Sequence, residues 1–256
     1  MNWSAQQYAA FEGERTRAVR DLLGALPPLS VRSAVDLGCG PGNSTEALAA
    51  RYPQAALRGL DSSEDMLRAA RRRLPNIPFE LGDVAGWQPT GRFDVILANA
   101  VLHWLPHHEA LLPHLIQQLN DGGALAVQMP DNLQTPAHTL MRDTALQGPW
   151  KAKLAGAAAT RNPLADAEWY YAMLKAHATQ VAVWRTTYFH PLARGPQAIV
   201  EWFKGSGLRP YLQPLDEAER AAYLTRYAAA VASAYPTLPD GSVLLPFPRL
   251  FMVALR

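Results

Sequence analysis

The run from Val35 to Thr45 (VDLGCGPGNST) constrains the fold of this chain more than any other stretch. Three glycines within five positions follow a short apolar segment, Ser33–Leu37, and precede a segment with helical spacing, Asn43–Arg51. The pattern predicts a buried strand, a tight turn and a helix N-terminus, a combination in which backbone comes close to a bound ligand.

Strand and helix patterns alternate through the rest of the chain. The further strand patterns are at 56–60, 78–81, 93–98, 124–128, 181–190 and 248–255. The helical patterns are at 3–23, 63–74, 107–119, within 131–180, and at 196–204 and 216–234. The third of these ends at a strong breaker, Asn120–Gly123. This order predicts an α/β fold, namely a Rossmann-like, doubly wound, mostly parallel seven-stranded sheet with a helical cover over the substrate side.

Composition excludes several classes of protein. The net charge is +2, which does not favour nucleic acid or a membrane surface as a partner. The chain has neither a signal-peptide core nor a run of about 18 apolar residues. Cys39 is its single cysteine, so a disulfide framework and an all-cysteine metal site are excluded. We therefore expect a cytoplasmic protein that binds no metal. We also expect a monomer, although composition does not address the oligomeric state.

Two phosphate-binding motifs fail at the glycine loop. A dinucleotide site needs G-x-G-x-x-G, and Gly38 and Gly40 fit, but Asn43 stands where the third glycine belongs. A Walker A loop needs a lysine, which the run lacks. Asp36, just ahead of the glycines, would repel a pyrophosphate and would suit a positively charged group. The loop therefore predicts a cation-bearing nucleoside as its ligand; the alternative is that Asp36 only caps the turn.

Polar side chains stand at the ends of successive predicted strands. Asp61 ends the second strand, where a carboxylate can accept hydrogen bonds from both ribose hydroxyls. Asp83 follows the third strand, where it could meet an adenine amino group, and Asn99 ends the fourth. One extended ligand could contact all of them along one edge of the sheet. The alternative for Asp61 is a cap on the helix that begins near Ser63.

These motifs resemble those of the class I S-adenosylmethionine-dependent methyltransferases. DLGCGPG is similar to the glycine motif of that family, LDSS to its acidic loop, LGDVAGW to its adenine-side loop and FDVILANAVLHWL to its fourth strand and following turn. The resemblance implies S-adenosyl-L-methionine as the cofactor and S-adenosyl-L-homocysteine as the product. The cofactor site that it implies consists of Asp36, Gly38, Gly40, Asp61, Ser62, Met66, Asp83, Val84, Asn99 and Trp104.

The same resemblance implies a role for each part of that site. The glycines let the methionine part of the cofactor approach, and Asp61 holds its ribose. Met66 packs on the adenine, while Asp83 and Val84 fix that base. Trp104 would wall the sulfonium through a cation–π contact. Plainer roles are a core methionine for Met66 and a buried aromatic anchor for Trp104.

The resemblance extends to the family of trans-aconitate 2-methyltransferases, small enzymes of this class that esterify a tricarboxylic acid. The similar segments include NWSAQQYAAFEGER, NAVLHWLP, LAVQMPDN, VWRTTYFH, GLRPYLQ and FPRLFMVA, of which the last four are outside the cofactor motifs. The activity that this implies is a carboxyl O-methyl transfer. Its product would be the monomethyl ester of trans-aconitate or of a closely related small polycarboxylate.

We expect a single methyltransferase domain over residues 1–256, because no repeat or low-complexity linker divides the chain. Its cofactor-binding core would span about 30–130, and its helical substrate cover about 131–180 and 190–245. A candidate lid over the cofactor consists of Trp3, Tyr8 and Arg15. The alternative for that N-terminal segment is an ordinary amphipathic helix packed on the sheet.

A carboxylate acceptor needs no general base, because it is already ionised near neutral pH. No acid–base catalytic residue is therefore expected, and His103 is a candidate for positioning the acceptor or is a histidine satisfied by backbone. The other carboxylates favour arginine, whose fork binds them bidentately. Arg209, in a glycine-bounded loop, is the first choice, followed by Arg185 and Arg249, with Tyr188 and His190 as weaker candidates. A surface ion pair suits Arg185 equally well.

Three other functions are open at this point. The first is a methyltransferase for another small acid or for a quinone-type acceptor, although a quinone would favour an apolar pocket and the arginines oppose that. The second is an NAD-dependent dehydrogenase, which Asp36 and Asn43 both disfavour. The third is a non-catalytic S-adenosylmethionine-binding module, which would bind the cofactor tightly and methylate no small acid.

Overall fold

The computed structural model describes residues 12–157 and 163–256, with side chains from residue 16 onward. Trp3 and Tyr8 lie outside the described residues, as does the side chain of Arg15. The lid that the sequence predicts over the cofactor therefore stays a prediction.

Seven strands form one sheet in the order β3-β2-β1-β4-β5-β7-β6. They are β1 (Ser33–Leu37), β2 (Ala56–Asp61), β3 (Phe79–Leu81), β4 (Phe93–Asn99), β5 (Leu119–Pro130), β6 (Gln180–Leu192) and β7 (Val243–Leu255). The pairs β1–β2, β1–β4, β2–β3 and β4–β5 are parallel. The predicted α/β class with a mostly parallel seven-stranded sheet is confirmed.

The central strands are largely apolar because both of their faces are covered. Residues 34–37 of β1 and 95–98 of β4 are fully buried. Parallel strands sandwiched between helices have this pattern, since neither face meets water. Asp36 lies in register with Gly59 of β2 and Leu97 of β4, which brings the carboxyl ends of the three strands to one edge.

Strand β5 corrects the predicted break at Asn120–Gly123. These four residues belong to the strand, and the pairing register with β4 shifts between Phe93 and Val95. Gly122 has φ +77°, a left-handed conformation that glycine adopts without strain and that bulges favour. The bulge lets the strand start directly after the preceding helix.

Strand β7 starts at Val243, earlier than the predicted residue 248. It runs antiparallel to β5: the Gly122 N–H donates to the Arg256 carbonyl at 3.2 Å, and the Asp131 N–H donates to the Pro248 carbonyl at 2.9 Å.

The helices in the described residues are α1 (Glu12–Gly24), α2 (Asn43–Arg51), α3 (Glu64–Arg73), α4 (His108–Gln117), α5 (Pro136–Gln147), α6 (Ala167–Lys175), α7 (Pro196–Lys204), α8 (Arg209–Leu212) and α9 (Glu217–Ala234). The region 131–180, predicted as helical, holds α5 and α6, with turns at residues 149–156. Arg209, predicted in a loop, is the first residue of the short helix α8. None of these helices is long and apolar enough to cross a membrane.

The chain divides into two compact units. Unit 1 comprises 1–130, 164–186 and 250–256, and unit 2 comprises 131–163 and 187–249. Unit 2 has its own core, in which the buried hydroxyls of Tyr223 and Tyr227 donate to the carbonyls of Met141 and Ala137 at 2.9 and 3.1 Å. That the whole chain acts as one domain stays a prediction.

Asp94 ties the starts of three strands of unit 1 together. Its Oδ2 accepts from the backbone N–H groups of Arg32 and Ser33 at 2.8 and 3.0 Å, and its Oδ1 accepts from Asn120 Nδ2 at 2.7 Å. Partial burial raises the pKa of the Asp94 carboxyl, but the hydrogen bonds from Asn120, Arg32 and Ser33 outweigh it, so the net pKa is below its ordinary value. The ionised carboxylate is the form that the fold stabilises.

We expect Asp94→Ala to lower the free energy of unfolding by about 1–3 kcal/mol, because it leaves several donors without their acceptor. Urea unfolding near neutral pH measures the change. The wild-type contribution is present above the unfolded carboxyl pKa, about 3.9, and is lost as pH falls through the lower folded-state value. Asp143→Ala, at an exposed carboxylate on α5, is the control, and an equal effect of both variants contradicts the assignment.

Candidate active site

The predicted polar residues converge on the carboxyl edge of the sheet. Asp36 is near the end of β1, Asp61 ends β2, and Asn99 ends β4. Asp83 follows β3 and caps a short 3₁₀ turn, Val84–Gly86. The strand order reverses between β1 and β4, and doubly wound sheets bind their ligands in the crevice at that switch point.

Asp61 holds the glycine loop against the end of β2. Its Oδ2 accepts from the Gly40 N–H and its Oδ1 from the Ser63 N–H, both at 2.9 Å. Burial raises the pKa of the Asp61 carboxyl, and the N–H groups of Ser63, Gly40 and Ser62 oppose that rise. The helix cap is Ser63, whose hydroxyl accepts from Met66 N, so Asp61 is not the cap itself. Each oxygen keeps a second lone pair for a ligand hydroxyl.

The N–H groups of the glycine loop are already engaged within the protein. Those of Gly38 and Cys39 donate to the Leu60 carbonyl at 2.7 and 3.0 Å, and that of Gly42 donates to the Cys39 carbonyl at 3.0 Å. Gly40 donates to Asp61, and the remaining residue of the loop, a proline, has no N–H. A pyrophosphate needs such donors, so the loop is unsuited to a dinucleotide.

Gly38 and Gly40 are glycines for different structural reasons. Gly38 has φ +66°, and a β-carbon on it would overlap the side chain of Val101, the second residue after β4. Gly40 has φ +54°, and a β-carbon there would meet no protein atom within 4 Å. Gly38 is therefore required by packing against Val101, while Gly40 faces the open space that close approach of a ligand needs.

Asp36 is buried, and one of its two carboxylate oxygens is engaged within the protein. The residue is 0% exposed, and its Oδ2 accepts from the hydroxyls of Ser44 and Thr45, both at 2.7 Å. Burial raises the pKa of Asp36 to about 7, the two hydroxyls oppose the rise, and the charge of Asp61 adds to it. Asp36 therefore joins the start of α2 to β1, which is close to the alternative role of holding the turn.

Two buried oxygens on the strands at this edge lack a hydrogen-bond donor among the described residues. They are Asp36 Oδ1 and Asn99 Oδ1, at the ends of the neighbouring strands β1 and β4. Both atoms are acceptors, so a ligand that complements them supplies N–H or O–H groups. The edge therefore fits a ligand with an ammonium group and hydroxyls better than one with phosphates.

The residues assigned to the adenine side differ in accessibility. Met66 on α3 and Val84 are buried, and Val84 belongs to the main apolar core of unit 1. Ser62 and Asp83 are exposed, and Asp83 Oδ1 accepts from the Ala85 N–H at 3.0 Å. The polar members are thus open to a ligand, while the apolar members also serve the core.

His103 and Trp104 lie on a 3₁₀ turn directly after β4. The chain reverses at Ala100, which has φ +57°, and the turn spans Leu102–Trp104. His103 is buried and Trp104 half-buried, with ring centroids 4.8 Å apart. In the described residues no group of three histidine, cysteine, aspartate or glutamate side chains could hold a metal ion.

The candidate acceptor residues do not share one environment. The neighbouring Trp184 on β6 stacks on Phe251, with ring centroids 5.0 Å apart. Arg185 is exposed, which agrees with the alternative that it lies on the protein surface. Arg209 is half-buried. Arg249 and Tyr188 are buried in unit 2, with the guanidinium carbon 6.0 Å from the Tyr188 ring centroid.

Sequence reasoning missed Phe247, Val101 and the partners of Asp36. Phe247 and Arg249 are two residues apart on β7, so strand alternation could have placed them on the same face. Ser44 and Thr45 are hydroxyl residues at the first turn of a predicted helix, a position that favours short-range contacts with a strand end. No sequence signal pairs Val101 with Gly38.

The chain is similar to known proteins in both sequence and fold. A family model described as "Methyltransferase domain" matches residues 34–123. The chain is 56% identical, over 100% of its length and 98% of the relative, to the trans-aconitate 2-methyltransferase of Methylobacterium nodulans. It is 52% identical to that of Azoarcus sp., over 99% of each chain. The crystal structure of the YcgJ protein from Bacillus subtilis has a TM-score of 0.60 at 13% identity, covering 94% of this chain and 98% of that one, and shows the fold alone.

We expect Asp36→Asn to remove a pH-dependent loss of stability. The folded-state pKa of about 7 is above the unfolded value, so ionising Asp36 costs folding free energy as pH rises between the two. Between about pH 5 and pH 8, the wild type should lose about 2–4 kcal/mol relative to the variant. Urea unfolding across that range measures the difference, with Asp65→Asn on α3 as the control. Parallel pH curves for Asp36→Asn and the wild type would contradict the role.

Proposed function

The chain belongs to the trans-aconitate 2-methyltransferase family, and we propose that it transfers a methyl group from S-adenosylmethionine to a carboxylate of trans-aconitate, forming a monomethyl ester. The observation that carries the proposal is the similarity to that family over the full length. The family model for the methyltransferase domain ends at residue 123, whereas the relatives match through both compact units. The similarity therefore includes the segments outside the glycine loop.

The carboxyl edge of unit 1 fits the cofactor. The spare lone pairs of Asp61 suit the two ribose hydroxyls, and Asn99 Oδ1 is an acceptor for an ammonium group. The space in front of Gly40 admits the methionine part, and the exposed Asp83 suits the adenine amino group. Met66 and Val84 stay proposed as its apolar contacts. When bound there, S-adenosylmethionine would supply the methyl group from its sulfonium and would leave as S-adenosylhomocysteine.

The protein's contribution to such a transfer is placement. A carboxylate is ionised near neutral pH, so no residue has to remove a proton from it. Alignment of the reacting atoms and exclusion of water supply the acceleration, and alignment alone is worth roughly 7–11 kcal/mol in favourable cases. We propose that the buried His103 donates a hydrogen bond to the acceptor and that Trp104, beside it, shields the reacting groups.

The arginines keep their proposed roles in acceptor binding with a changed order. Arg249 is now the first choice, because its guanidinium is buried and a desolvated cation attracts a carboxylate more strongly than an exposed one. Arg209 is half-buried and second. Arg185 is exposed and last. We also propose that the enzyme acts as a monomer in the cytoplasm.

The alternatives receive less support. A dehydrogenase would need loop N–H groups that are free for a pyrophosphate, and those of Gly38, Cys39, Gly40 and Gly42 are engaged. A non-catalytic module would not require the full-length similarity to enzymes that the relatives show. Another small acid remains the second candidate acceptor, because a buried Arg249 would suit any small carboxylate.

The direct test is incubation of the pure protein with methyl-labelled S-adenosylmethionine and trans-aconitate. We expect label in a base-labile monomethyl ester, separated from the free acid by chromatography. The controls omit the acceptor or replace it with the trimethyl ester of trans-aconitate, which offers no carboxylate. Tight cofactor binding without an ester of trans-aconitate, but with an ester of another acid, would change the substrate; no ester of any acid would favour the binding module.

We expect Asp61→Ala to weaken S-adenosylmethionine binding at least about tenfold, which equals about 1.4 kcal/mol, because it removes the proposed ribose acceptor and releases Gly40. Calorimetric titration measures the dissociation constant. Asp61→Asn keeps one acceptor oxygen and should lose less. Asp65→Ala, on the neighbouring helix α3, should bind the cofactor like the wild type. An unchanged dissociation constant in Asp61→Ala removes Asp61 from the cofactor site.

A further inference from the structure

The turn that carries His103 and Trp104 is held at its first residue by a side chain from the helix that follows it. We refer to this turn, Leu102–Trp104, as the reaction turn. The Leu102 carbonyl accepts from the backbone N–H of Leu105 and from Nε2 of His108, both at 2.9 Å. A carbonyl oxygen has two lone pairs, so the two hydrogen bonds use both of them. The reaction turn is therefore held by its own closing bond and by His108.

The ring of His108 is itself oriented by Tyr170 on α6. A carbonyl oxygen only accepts, so Nε2 carries the hydrogen of the neutral ring and Nδ1 is an acceptor. Nδ1 lies 2.7 Å from the Tyr170 hydroxyl, which donates to it. Tyr170 is 1% exposed and belongs to the main apolar core of unit 1. Both ring nitrogens are thus engaged, and the plane and tautomer of the His108 ring are fixed.

The backbone on both sides of the reaction turn has a conformation that needs support. Ala100, before the turn, has φ +57°, and His107, at the N-terminal cap of α4, has φ +60°. Neither residue is glycine, and a left-handed backbone is sterically unfavourable for other residues. Such conformations persist where surrounding contacts enforce them. His108 directly follows the second of these residues, and its bond to Leu102 ties that position back to the start of the turn.

Accurate placement is what the reaction turn can contribute to the proposed methyl transfer. A carboxylate acceptor needs no general base, so the rate depends on how well the reacting groups are aligned. A displacement of about 1 Å can lower a rate by about a hundredfold. The turn carries His103 and Trp104, the proposed donor to the acceptor and the proposed shield. Whatever fixes the start of the turn therefore also fixes the position of these two side chains.

We propose that His108, oriented by Tyr170, is a positioning residue for the methyl transfer. It holds the Leu102 carbonyl and thereby sets where His103 and Trp104 stand relative to the reacting carboxylate. Neither His108 nor Tyr170 contacts the acceptor in this role, because both act through the backbone of the turn. The inference rests on the proposed function, which assigns the reaction to that turn. Its specific consequence is that loss of the anchor slows methyl transfer without weakening cofactor binding.

A second histidine of α4, His114, provides a matched control. Like His108 it is half-buried, and its Nε2 lies 2.9 Å from a backbone carbonyl, that of Trp87. His108→Phe and His114→Phe therefore remove the same kind of hydrogen bond and keep a ring of similar size. His108→Gln keeps an N–H donor for the turn. Tyr170→Phe removes only the hydroxyl that orients His108. All variants are made in the full chain.

The readouts are kcat for trans-aconitate at saturating cofactor, the dissociation constant of S-adenosylmethionine from calorimetry, and thermal unfolding. We expect His108→Phe and His114→Phe to lower the melting temperature similarly, but only His108→Phe to lower kcat, by about tenfold to a hundredfold, with unchanged cofactor affinity. His108→Gln should recover most of that loss. Tyr170→Phe should lower kcat by about threefold to tenfold. Because Tyr170 acts through His108, the double variant should be no slower than His108→Phe alone.

The outcomes separate this inference from the function on which it rests. If the wild type forms no ester from any acid, the proposed function and the inference fail together. If the wild type forms the ester and folded His108→Phe loses no more kcat than His114→Phe, the inference alone is overturned. Multiplied losses in the double variant would overturn the part assigned to Tyr170. If His108→Phe does not fold, Tyr170→Phe decides: a lowered kcat with wild-type cofactor affinity supports the inference, and a wild-type kcat overturns it.

Discussion

The hydrogen bond from the Gly40 N–H to the Asp61 carboxylate is the interaction on which the rest of the site depends. It joins the loop after β1 to the end of β2. The hydrogen bonds from the N–H groups of Gly38 and Cys39 to the Leu60 carbonyl connect the same two segments. The N–H groups of Gly38, Cys39 and Gly40 are therefore engaged within the protein and are not available to a ligand. What remains toward a ligand is the acceptor capacity of Asp61 and Asn99, which selects hydroxyl and ammonium groups over phosphate.

The sheet could be predicted from the sequence because its strands are buried on both faces and therefore read as short apolar runs between helical patterns. The strand Phe93–Asn99 was predicted to within one residue for that reason. The predicted break at Gly122–Gly123 was wrong. Glycine weakens an isolated strand, but it accommodates a bulge when a partner strand is present. That partner is set by tertiary pairing, which a local pattern does not contain.

The candidate site was predictable in its location but not in the direction of its side chains. Parallel strands bring Asp36, Asp61 and Asn99 to one edge whatever their side chains do. Asp36 turns inward because two hydroxyls, on Ser44 and Thr45, are placed to donate to it, and only the folded loop reveals that. In unit 2, Tyr188 and Arg249 are buried, and the guanidinium of Arg249 lies 6.0 Å from the Tyr188 ring centroid. The sequence left the environment of Arg249 open, because this contact depends on how two distant strands pair.

The backbone at Gly38 lies so close to the Val101 side chain that the size of the residue at each position limits the other. Positions 38 and 101 cannot change independently: a larger residue at either one displaces the other. Because Val101 directly precedes the turn that carries His103 and Trp104, such a displacement would travel into that turn. Among diverging members of the family, a larger residue at one of these two positions should therefore be accompanied by a smaller residue at the other.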